Sequence, residues 1–247
     1  MKPDEILLQK VVAVLLSAAL FFLVSILLGA CTVLQKPGPP PRYFLLSPGG
    51  EAGAGAARTD EAAQADLKGR TEGNIPVIVG PVEIPAYLDR PQVVTLSGEN
   101  TIKVSEMNRW AEPLDRAVER VVALDLQALG KGMFQVSPFS LNVSPEAGSR
   151  GWRVLLNIYA FEQRQAGRVV LDAWWCLVSL STYQRVMERR LVISRPSTGQ
   201  DMEETVKAMG TLLDRLSADI FEGLSMLEGQ KRRAFQQAPA EGLTRYL

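Results

Sequence analysis

Cys31 is the side chain best placed to do covalent chemistry in this sequence, because of what precedes it. It closes the string Leu28-Gly29-Ala30-Cys31, in which two small residues lead from an apolar run to a thiol. Lys2 and Lys10 stand ahead of that run, and residues 11–30 carry no charge at all. A basic start, an apolar middle and small residues before a cut are the marks of a secretory signal. With a cysteine at the cut, the string resembles a lipobox, and Cys31 becomes the acylated first residue of the mature chain. Diacylglyceryl and N-acyl groups together exceed the single acyl chain that anchors a protein only marginally. The alternative is an uncleaved transmembrane helix, since residues 11–30 at about 1.5 Å each would reach roughly 30 Å. The small pair Gly29-Ala30 directly before the cysteine favours acylation.

Most other chemistry is excluded by composition. The sequence contains no histidine, which removes the commonest general base, the commonest metal ligand and every Ser-His or Cys-His pairing. Of two cysteines, one is the acylation candidate, so Cys176 has no partner for an internal disulfide. Within Trp174-Trp175-Cys176-Leu177-Val178 it reads as a small buried hydrophobe. Gly49-Gly50, Gly53 and Gly55 fall in an Ala-rich stretch and not between a strand and a helix, so they form no phosphate loop. Basic and acidic residues balance at 27 each. Removing residues 1–30 takes Lys2, Lys10, Asp4 and Glu5 and leaves the balance at zero, which gives no electrostatic case for nucleic acid. The reading is of a non-enzyme without metal or cofactor.

The elements that must position any functional surface follow from periodicity. Residues 31–74 form an acylated tether, rich in proline between Gln35 and Arg42, then a short strand at Tyr43-Phe44-Leu45-Leu46, then a Gly/Ala-rich polar linker with at most a weak helix at 61–68. The folded body is expected over 75–228. It opens with a strand at 76–84, followed by a hairpin of 92–96 and 101–105 around Ser97-Gly98-Glu99-Asn100. A helix is predicted over 110–129, with Pro113 in its first turn, Gly130 as its stop and an apolar stripe that includes Leu114, Ala117, Val118, Val121, Leu124 and Ala128. A strand at 134–139 follows, then two long strands meeting near Gln165-Ala166-Gly167-Arg168. The second, 169–180, is apolar on both faces and reads as central and doubly covered. A more exposed strand at 186–194 precedes a helix over 201–227 with Val206, Met209, Leu213, Leu216, Ile220 and Leu227 on one side. Residues 229–247 read as a polar, disordered tail. Strands, helix, strands, helix in this order give a layered α/β domain with a mixed sheet.

Two longer strings are the most specific features. One is Val79-Gly80-Pro81-Val82-Glu83-Ile84-Pro85-Ala86-Tyr87-Leu88-Asp89-Arg90-Pro91-Gln92-Val93-Val94, and the other is Asn108-Arg109-Trp110-Ala111-Glu112-Pro113-Leu114. Together they resemble the ABC-type transport auxiliary lipoproteins of the PqiC/YmbA-like kind, and the resemblance runs from the lipobox to the last helix. It implies a single three-layer α/β domain with a mixed β-sheet covered by helices. It also implies an accessory, not a pump, of an MCE-type system that moves lipid or another hydrophobic substrate between membranes. The implied partners are an MCE-domain protein with its permease and ATPase, the membrane through the acyl anchor, and phospholipid; a ring-shaped partner also suggests a homo-oligomer. Thr32 in place of the aspartate that retains such lipoproteins at the inner membrane points to the periplasmic face of the outer membrane.

The same strings can be read physically. Pro85 and Pro91 bracket and stiffen Ala86-Tyr87-Leu88-Asp89-Arg90, since each fixes its own φ and restricts its predecessor. Tyr and Arg are enriched in binding hot spots, so Tyr87, Leu88, Asp89, Arg90, Gln92, Arg109, Trp110 and Glu112 are the candidate docking residues. The competing reading has Tyr87 and Leu88 capping the sheet edge and Asp89 pairing with Arg90. It also has Trp110 and Glu112 serving the start of the helix. Beside the docking accessory stand two other functions: a carrier whose apolar pocket holds lipid, and a purely structural envelope lipoprotein.

Overall fold

The computed structural model describes residues 12–25, 39–48, 75–141, 150–197 and 201–237. The chain divides into two compact units, Met1–Pro40 and Pro41–Leu247. In the first, residues 12–25 form helix α1, which leaves Leu16, Phe21 and Phe22 exposed. Among the described residues, no helix is long and apolar enough to cross a membrane. Cys31, the cut before it and the linker over 49–74 lie outside the described residues.

The second unit carries β1 (Arg42–Phe44), β2 (Ile75–Glu83), β3 (Gln92–Leu96), β4 (Ile102–Trp110), α2 (Leu114–Gly130), β5 (Phe134–Pro138), β6 (Trp152–Arg164), β7 (Arg168–Ser179), β8 (Arg185–Pro196) and α3 (Met202–Gln237). All strands belong to one eight-stranded mixed sheet. β6 is its hub. One edge of β6 pairs antiparallel with β7, which continues antiparallel to β8. The other edge pairs parallel with β2, and β2 with β5. Further along that edge Gln163 meets Thr95 of β3, which opens a three-stranded wing: β3 antiparallel to β4, and β4 parallel to β1.

The expected α/β domain, with its mixed sheet covered by helices, is what the chain forms. Both α2 and α3 lie on the sheet face that carries Val77, Val154, Leu156 and Trp175. Ring contact between Phe134 of β5 and Phe221 of α3, at 6.0 Å and 84°, closes that layer at one side. Between the helices, Ser217 donates to Asp125 Oδ2 at 3.0 Å, both residues being buried. α3 sits tight on the sheet at Gly223, where a Cβ would fall 2.8 Å from the Trp175 ring and 2.9 Å from the Met187 sulfur.

Among the described residues, the opposite face is covered by its own side chains and a 3₁₀ turn at Phe139–Leu141. Arg153 stacks over Phe139 at 5.4 Å, Arg185 over Trp174 at 5.7 Å and Arg190 over Tyr159 at 5.0 Å. Arg190 also grips Asp172 through Nε and Nη2, at 2.9 and 2.7 Å. This is the second cover that the apolar outer face of β7 demanded. Cys176 is fully buried beneath it, and burial pushes its thiol pKa up, which keeps the sulfur protonated and inert.

Three boundaries differ from the sequence-based expectation. Trp110 ends β4 and does not begin a helix, because Phe44 lies opposite it in the parallel ladder and its N–H donates to Pro91 O at 2.7 Å. α2 starts after Pro113 and stops one residue later than expected, at Lys131 with φ 43°. Its buried face rotates to take in Val122 and Leu126 toward α3, which leaves Leu124 and Ala128 outside. α3 runs past Gly229 to Gln237, so the start of the expected disordered tail is helical. One glycine costs a helix only about 1 kcal/mol, while the Gln, Lys, Arg and Ala that follow all favour helix, up to the breaker Pro239.

Candidate functional site

The candidate docking residues lie where the wing joins the hub. After β2 the chain turns at Pro85, whose carbonyl accepts from the N–H of Leu88 at 2.9 Å and of Asp89 at 3.3 Å. A turn closed by two backbone bonds and bracketed by prolines has little freedom left. Leu88 points inward and is 2% exposed. Tyr87 is half-buried and donates its hydroxyl to Glu162 Oε2 at 2.8 Å. Glu162, itself buried on β6, also accepts from its neighbour Phe161 N–H at 2.9 Å and from Arg164 Nε at 3.0 Å. Burial first, and the Glu162 carboxylate second, raise the Tyr87 hydroxyl pKa, so it stays a donor. The loop is therefore riveted to β6 by one side chain and to the core by another.

The second string is equally structural at two positions. Trp110 is buried, and the next residue, Ala111, donates its N–H to Phe44 O at 2.8 Å. Glu112 accepts from Arg120 Nε at 3.1 Å and Nη2 at 2.6 Å, and Arg120 Nη2 also donates to Leu46 O at 2.7 Å. That clasp fastens the strand-exit segment 45–48 to α2.

Asp89, Arg90, Gln92 and Arg109 remain accessible from outside. Asp89 is exposed, and the other three are half-buried. In the ladder Gln92 lies opposite Arg109, and Arg109 opposite Tyr43, so three strands present these side chains in one row. The Nε atoms of Arg90 and Arg109 are buried without a hydrogen-bond partner among the described residues. Sequence reasoning missed Tyr43 as the end of this row, and Glu162 as the anchor of Tyr87. The polar pair Glu162-Gln163 at the end of a buried strand was the available signal for the anchor.

A cavity of about 230 Å³ opens between segment 45–48 and the start of α3, lined by Leu45, Ser47, Pro48, Glu203, Val206 and Lys207. It is small for a ligand site and carries charge on its wall. Among the described residues no three His, Cys, Asp or Glu side chains cluster as metal ligands would.

Comparison with known proteins gives a coherent result. No curated protein sequence matches the chain. A crystal structure of an uncharacterized protein superposes with a TM-score of 0.57 at 20% identity, covering 75% of this chain and 99% of the other. A Xanthomonas campestris protein of the DUF330 family superposes with a TM-score of 0.51 at 16% identity, covering 65% of this chain and 89% of its own. At such identities these likenesses speak to the fold alone. The family model for ABC-type transport auxiliary lipoprotein components matches residues 59–221, which takes in both long strings, the whole sheet except β1, and α2. This chain accordingly belongs to the ABC-type transport auxiliary lipoprotein component family.

Proposed function

We propose that the protein is the envelope accessory of an MCE/ABC-type intermembrane lipid transport system. Acyl groups on Cys31 hold it at the periplasmic face of the outer membrane, where it docks the transport assembly. The observation that carries the reading is the family match over residues 59–221, which includes the Tyr-Leu-Asp-Arg-Pro-Gln and Arg-Trp-Ala-Glu-Pro strings. The stiff, twice-anchored turn at Pro85–Pro91 supports it, because a pre-formed surface loses little freedom on binding. The partners are an MCE-domain protein and, through it, the permease and the ATPase. Docking proceeds through the surface built by residues 87–92 and 109–112.

Affinity purification of the full-length protein from a mild-detergent envelope extract tests this, with bound proteins and lipids both identified. Recovery of an MCE-domain protein is the expected result. Recovery of phospholipid alone would make the protein a carrier and direct attention to the 230 Å³ cavity beside Leu45 and Val206. Recovery of neither would leave a structural envelope lipoprotein.

A further inference from the structure

Arg116, Arg120, Arg150, Arg164, Arg189 and Arg190 each have a carboxylate oxygen within 4.0 Å. Arg90 and Arg109 differ from these six: neither has an ion pair among the described residues, and each has a buried, unsatisfied Nε. Arg153 shares the unsatisfied Nε but lies over the Phe139 ring. A buried donor without an acceptor is costly, and an acceptor supplied from outside the chain relieves that cost.

The two arginines are brought together by the backbone. Trp110 N–H donates to Pro91 O, so the residue after Arg109 is tied to the residue after Arg90. Gln92 faces Arg109 across the β3–β4 ladder, and Tyr43, 63% exposed, faces it from β1. The ladder thus presents one guanidinium, one amide and one exposed phenol in a row, with Arg90 two residues before Gln92 in the chain.

We propose that Arg90 and Arg109, flanked by Gln92 and Tyr43, seat carboxylate side chains of a protein partner. This rests on the docking reading above and sharpens it: Tyr87, Leu88, Trp110 and Glu112 build the platform, while the arginines make the contact. Guanidinium forks match carboxylates in a bidentate geometry and lose the fit when replaced by lysine. A phosphate-bearing membrane is the weaker occupant. Recognition of an anionic lipid surface takes a cluster of roughly four to eight basic residues, whereas two arginines stand here beside exposed Asp89, in a chain of zero net charge.

The test places a photoreactive phenylalanine at position 43 of the full-length protein in its native envelope and identifies what cross-links. The expected product is a protein segment with Asp or Glu at the contact. Its yield falls at least tenfold in Arg90→Gln/Arg109→Gln and less in Arg90→Lys/Arg109→Lys. Changing the contacted acid of the partner to its amide reproduces the loss in an unaltered protein, which decides the matter even if the glutamine pair fails to fold. A cross-linked segment without an acid, or a yield indifferent to the arginines, overturns this inference; recovery of the MCE protein would then leave the docking reading standing. Cross-linking to phospholipid alone, or to nothing, overturns the inference, and the affinity purification then decides separately whether docking itself survives.

Discussion

Tyr87 and Glu162, 75 positions apart in sequence, meet through a hydrogen bond of 2.8 Å that joins the Pro85–Pro91 turn to the hub strand. The acceptor is 1% exposed, so its lone pairs depend on protein donors. Tyr87→Phe removes one of them and is expected to destabilise the fold by about 1–3 kcal/mol. Glu162→Leu strands Tyr87 and Arg164 together and should cost more. Urea unfolding of the variants checks the order; equal stability of Tyr87→Phe and the parent would show the bond to be idle.

Acid–base behaviour should be dominated by Asp125. Burial first, and Asp214 second, raise its carboxyl pKa to about 7, against which the hydrogen bond from Ser217 works only in part. The folded state therefore holds the proton at pH values where the unfolded chain has released it. Stability should fall as pH rises from about 4 to about 7 and level off above, a loss of a few kcal/mol at most. Asp125→Asn should flatten that stretch of the curve. Chemical denaturation at several pH values reads it directly, and parallel curves for the two proteins would refute the assignment.

Two glycines of α3 should respond in opposite senses. At Gly223 an added methyl meets the buried Trp175 ring and the Met187 sulfur below 3.0 Å, so Gly223→Ala is expected to cost about 1–3 kcal/mol. At Gly229 nothing among the described residues lies within 4 Å of the added methyl. Gly229→Ala should raise stability by about 0.5–1 kcal/mol through helix propensity alone. Melting temperatures that move the same way for both would contradict the close helix–sheet approach.

Cys31→Ser tests the anchor. The variant should leave the membrane fraction while its folded body keeps the parent's circular dichroism and melting temperature. A variant that stays membrane-bound and uncleaved would favour a spanning helix over an acylated cysteine. Mass spectrometry of the parent's mature N-terminus, showing the acyl groups, is the positive counterpart.

Much of the scaffold was legible because its signals are periodic. Alternation along Trp152, Val154, Leu156 and Ile158 marks β6, and the stripe from Val206 to Ile220 marks α3; both stand where expected. What escaped was set by partners remote in sequence. Trp110 looks like a helix residue until β1 pairs alongside it, and Leu124 looks apolar-inward until α3 decides which side of α2 is buried. The candidate site was half legible for the same reason. Leu88 and Trp110 have the side-chain types of a binding surface, yet those types serve cores equally well, and only the fold shows them inside. Arg90, Gln92 and Arg109, named as docking candidates, are half-buried, and the alignment of Gln92 and Arg109 with Tyr43 exists only across strands.

The described body begins at β1, three residues long and, among the described residues, joined to the sheet solely through β4. A pull applied to the chain at Pro41 would therefore bear on that short ladder before it reached anything beneath the helices. β1 would peel first, carrying Tyr43 away from Arg109, and the Arg120–Leu46 clasp would arrest the tear. A body built this way can yield at its first strand without losing its core, and under the docking proposal a pull on that strand would also disturb the row that seats the partner.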